Sequence, residues 1–100
     1  MTQEELDLRL QAEGIVTLEA TEWEKLAQGF EELERHPTFL AGDLVIARDP
    51  AGTVAVEQPS SRERVVRRLA GEEVRRFVQD RLDTYERMWD GCGCKVEYYR

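Results

Sequence analysis

The chain contains no asparagine, one histidine, two cysteines and two serines among its 100 residues. Each scarcity removes a class of chemistry. Two cysteines do not make the disulfide framework that stabilises small secreted domains. His36, Ser60 and Ser61 cannot supply a Ser-His-Asp set with a partnered base. No glycine-rich phosphate loop is present, and no apolar run approaches the length of a membrane span. The opening stretch "MTQEELDLRL" is acidic and lacks the apolar core of a secretory signal, so the expected location is cytoplasmic. Lysine is scarce beside arginine, and with the missing asparagine this bias fits a thermophile or a GC-rich genome.

What is present is charge, 35% of residues against 41% hydrophobic. A single domain of this length buries limited surface, so charge networks or a partner chain are expected to add to a modest core. The net charge of −7 is unevenly spread. Residues 1–40 carry three bases against ten acids, whereas residues 61–100 carry ten bases against eight acids. The acidic total argues against DNA binding, which needs a basic face. An acidic front and an arginine-rich rear favour a symmetric contact between unlike faces of two copies.

The spacing predicts a first helix over residues 3–12, with Thr2 and Glu5 as a capping box and Gly14 ending it. "IVTLE" (15–19) reads as a strand. A second capping box, Thr21 and Glu24, precedes Trp23, Leu26, Ala27, Phe30 and Leu33, which follow the helical period up to Pro37. Residues 43–59 read as a hairpin around Asp49-Pro50-Ala51-Gly52, a turn with Asp first, Pro second and Gly last. "RERVVRRL" (62–69) fits either a strand or a helical lead-in. Beyond Gly71, the stripe Val74, Phe77, Val78, Leu82, Tyr85, Met88 and Trp89 predicts a long amphipathic helix with Phe77 and Leu82 inside. "CKVEYY" (94–99) resumes a two-residue alternation.

With the first helix set aside, the order is strand, helix, strand, strand, helix, strand. The expected fold is therefore α+β, a ferredoxin-like βαββαβ domain with an extra N-terminal helix. That topology gathers Cys92 and Cys94 at one rim with Asp90, Glu19, Glu22 and Asp49-Pro50. A zinc site wants four ligands; one chain offers two thiols here and places His36 at the other end. A pair separated by one residue closes only a strained disulfide. The thiols also follow a helix C-terminus, whose dipole disfavours a thiolate. The favoured reading makes them small buried side chains, with no cofactor and no metal, and a thiol-redox or metal role as the alternative.

Arg62, Arg64, Arg67, Arg68, Arg75 and Arg76 form the largest group of like charge, a candidate for gripping phosphate, RNA or a protein partner. Glu63, Glu72 and Glu73 interrupt it, so pairing with the acidic front is favoured over RNA. His36, before Pro37, is read as a helix-end histidine on the dipole. No catalytic set assembles. The favoured function is a small interaction or accessory module that self-associates or docks a protein partner, without DNA or membrane, rather than an enzyme.

Overall fold

Thr2 caps the first helix as its spacing to Glu5 implies: its hydroxyl accepts the Glu5 amide at 3.2 Å and α1 runs Gln3–Glu13. In the computed structural model, residues 1–37 and 43–91 are described, with the side chains of 1–36 and 44–84. Gly14 ends α1 at φ 77°, donating its amide to the Leu10 carbonyl at 2.8 Å. A Cβ there would meet nothing within 4 Å, so the only objection to a side chain is the left-handed backbone. Gly14→Ala is expected to cost about 1–2 kcal/mol, read as a lower urea midpoint with an unchanged slope.

β1 (Ile15–Glu19) buries alternate residues, Val16 and Leu18. The helix expected from Thr21 to Pro37 is realised only in its first half. α2 spans Ala20–Ala27 and is capped by Glu19 without a side-chain hydrogen bond, so Thr21 lies inside its first turn. The amides of Gly29 and Phe30 bond back to Leu26 and Ala27 at 3.0 Å, and the chain then enters strand β2 (Glu31–Pro37). Beyond Phe30 the helical period rested on Leu33 alone, and pairing with the apolar strand β3 (Asp43–Asp49) outweighs it. Leu33 stays 43% exposed. The register shifts between Glu32 and Glu34, a bulge that turns Glu32 and Arg35 to one face, where they pair at 2.7 Å. His36 is therefore a strand residue, bonded to Glu34 at 2.8 Å, and not a helix-end histidine.

The hairpin forms as its turn chemistry requires. Asp49 Oδ1 accepts the amides of Ala51 and Gly52 at 3.0 and 2.9 Å, joining β3 to β4 (Gly52–Glu57). "RERVVRRL" resolves as strand β5 (Glu63–Leu69). The five strands form one antiparallel sheet in the order β1-β5-β4-β3-β2. This is not the ferredoxin-like arrangement: β2 to β5 run as a meander, and β1 closes on β5. The fold is α+β all the same. The strand expected over residues 94–99 lies outside the described residues.

Helices cover both faces of the sheet. Leu6 and Leu10 of α1 and Trp23 and Leu26 of α2 pack on Val16, Val45, Val54 and Val66. On the other face Val78 of α3 (Gly71–Gly91) packs on Leu44, Ile46 and Ala55. Coverage of both faces explains why the central strands read as continuous apolar runs, "LVIA" and "VAV", with little alternation. Phe77 and Leu82 pack beside this second cluster as partly buried residues, less enclosed than the sequence stripe implies. The Phe77 ring instead lies beneath two guanidinium groups, Arg81 at 4.5 Å and Arg67 at 5.6 Å. Tyr85, Met88 and Trp89 have side chains outside the described ones.

Candidate functional site

The buried charges, Asp49 and Glu57, are where chemistry would be expected. Asp49 accepts from Arg68 Nη1 at 2.9 Å, from Gln3 Nε2 at 3.1 Å and from the two turn amides. Arg68 also pairs with Asp7 of α1. Burial alone would raise the Asp49 pKa; the Arg68 and Gln3 hydrogen bonds, the Arg68 charge and the Gly52 amide outweigh it and hold it below the ordinary 3.8. A carboxylate held this firmly ionised is a poor proton donor or acceptor near neutral pH. The cluster ties α1 to the hairpin tip. Glu57, on the opposite face, accepts from Arg81 Nε at 2.8 Å and lies 3.5 Å from Arg67 Nε, a contact that leaves this buried N–H without a hydrogen bond. It ties α3 to the sheet.

The six candidate arginines do not act as one patch. Strand alternation sends Arg64 and Arg68 to the face of α1 and α2, and Arg67 to the face of α3. Arg64 donates to the carbonyls of Ser60 and Glu63. Arg62 is exposed in the loop before β5, while Arg75 and Arg76 are exposed on α3. Of the rear arginines, Arg68 pairs with the acidic front, at Asp7.

The thiol candidates Cys92 and Cys94 lie outside the described residues, and so does the side chain of Asp90. Glu19 and Glu22 are separated in their roles. Glu22 pairs with the terminal amine of Met1 at 3.2 Å, while Glu19 ends β1 directly opposite Glu63. The rim expected to join Glu19 with Asp49-Pro50 does not form. β1 runs antiparallel to β5, and β5 antiparallel to β4, which places Glu19 at the end of the sheet away from the hairpin tip. Among the described residues no group of three or more His, Cys, Asp and Glu side chains is placed to hold a metal ion. No helix among them is long and apolar enough to cross a membrane.

The two outer strands of the described sheet contrast sharply. β2 carries a bulge, four charged residues and a terminal proline, the devices by which a sheet edge is protected from pairing. β1 has none of these: it is regular over all five residues, and Glu19 is its sole charge. Ile15, Thr17 and Glu19 are exposed on the face that α3 covers elsewhere, with Ile15 at 39%. Sequence reasoning identified the strand and not its place at the edge, because an edge is a property of strand order. Comparison with family models, with curated proteins and with solved structures finds no match for the chain.

Proposed function

We propose that the protein is a non-catalytic interaction module that self-associates through its sheet. The observation that carries this reading is the contrast, among the described residues, between the guarded edge at β2 and the unguarded edge at β1. The buried and half-buried charges support it from another side. Asp49, Asp7 and Glu57 are engaged with arginines that bind α1 and α3 to the sheet, which accounts for them as structural groups. The RNA reading loses its main support, since the six arginines are spread over both faces of the sheet, a loop and α3, and Arg64 and Arg68 are hydrogen-bonded within the chain. Multi-angle light scattering across a tenfold concentration range in the micromolar region tests the proposal. A mass that stays above that of the 11.6 kDa chain, or rises with concentration, is the expected result. A strict monomer throughout would refute it.

A further inference from the structure

We infer that two copies pair their β1 strands antiparallel about a two-fold axis through Thr17, joining two five-stranded sheets into one of ten strands. This rests on the self-association proposed above and adds to it the register. The Ala20 amide donates to the Arg62 carbonyl at 2.8 Å, so it points toward β5. Amides of alternate residues in a strand point the same way. Those of Val16 and Leu18 therefore face β5, and those of Ile15, Thr17 and Glu19 face outward, where β1 has no neighbouring strand among the described residues. Three donors and three acceptors are presented in a row on a strand that carries neither a bulge nor a proline.

The occupant follows from charge. The outer pair of strands is polarised on its exposed face: Glu19 stands opposite Glu63 at one end, and Ile15 opposite Arg67 at the other. Like charges directly opposed are unfavourable, and neither glutamate has an ion-pair partner among the described residues. A two-fold axis through Thr17 sets Ile15 of one copy beside Glu19 of the next, Val16 beside Leu18, and Thr17 beside Thr17. The row across the join then reads Arg67, Ile15, Glu19, Glu63, with each acidic end lying beside the arginine end of the other copy. A parallel in-register pair would instead put Glu19 against Glu19. The sequence of β1 and its neighbour is thus complementary to a second copy of itself in the antiparallel sense alone.

Thr17 allows a direct test, since its side chain is exposed and its amide points away from β5. In a full-length Cys92→Ser, Cys94→Ser background, Thr17→Cys puts two thiols on the axis. Their Cα atoms stand about 5.5 Å apart in a hydrogen-bonded pair, within the range a disulfide spans. Mild oxidation is expected to convert most of this variant to a covalent dimer, while His36→Cys on the other edge in the same background stays monomeric on denaturing gels. Thr17→Pro removes the donors on the axis, and is expected to move the association midpoint at least about tenfold upward in concentration, in keeping with two lost hydrogen bonds. If wild type associates but Thr17→Cys does not crosslink, the register is wrong and self-association stands. Association of a folded Thr17→Pro variant at an unchanged midpoint would have the same meaning. If wild type is monomeric throughout, self-association fails and the register with it. Should Thr17→Pro fail to fold, the crosslinking result decides.

Discussion

Arg68→Leu is expected to lower the unfolding free energy by about 3–5 kcal/mol at neutral pH, the range for breaking a buried ion pair from one side. The side chain of Asp49 is wholly buried and takes its charge compensation from Arg68. Leucine fills much of the space but leaves the carboxylate enclosed with Gln3 and two turn amides as its remaining partners. Asp7 loses its cation as well. The penalty should depend on pH in a definite direction. In the wild type the folded pKa of Asp49 lies below the ordinary 3.8. Its contribution is therefore complete above that value and is lost as pH falls through the lower folded value. In the variant, burial without Arg68 favours the neutral acid, so acidification relieves the enclosed charge. Urea titrations at pH 7 and pH 3 should show the gap between wild type and Arg68→Leu narrowing on the acid side. A penalty under about 1 kcal/mol at pH 7, the scale of a surface pair, would mean that the network is not what holds α1 against the hairpin.

The next largest effect is expected at Leu6. Leu6→Ala should cost about 2–5 kcal/mol and Leu8→Ala no more than about 0.5 kcal/mol. The two leucines sit on one short helix, yet Leu6 is 0% exposed and Leu8 is 66% exposed. Residues two apart on a helix point to nearly opposite sides. Leu6 and Leu10 meet the sheet through Val16, Val54 and Val66, and Leu8 faces away from it. Truncating Leu6 leaves a cavity under the helix that carries Asp7 and Gln3 into the buried network, so packing and charge fail together. Equal losses at both positions would show that α1 is docked by another face.

Several parts of this fold were legible in the residues alone, for reasons that operate within a few positions. Thr2 with Glu5, and Gly14, bound the first helix because a cap and a left-handed residue satisfy backbone groups locally. Asp49, Pro50 and Gly52 specify the hairpin because the Asp49 carboxylate binds the amides that follow it. The stripe from Val74 to Leu82 specifies α3 because one helical face must be apolar to bury.

Other features were not legible because no single segment contains them. Leu33 completes a helical pattern that Glu31–Pro37 abandons, since the gain from pairing with β3 is made by residues many positions away. Arg64, Arg67 and Arg68 read as one basic group along the chain, and strand alternation sends them to different layers. The caps of α1 and the hairpin turn were decided by the sequence itself, because those forces act between near neighbours. Strand order, the separation of Glu19 from the hairpin tip, the partners of each buried charge and the outer position of β1 among the described strands were decided by the tertiary structure alone, because each depends on which distant strands lie side by side.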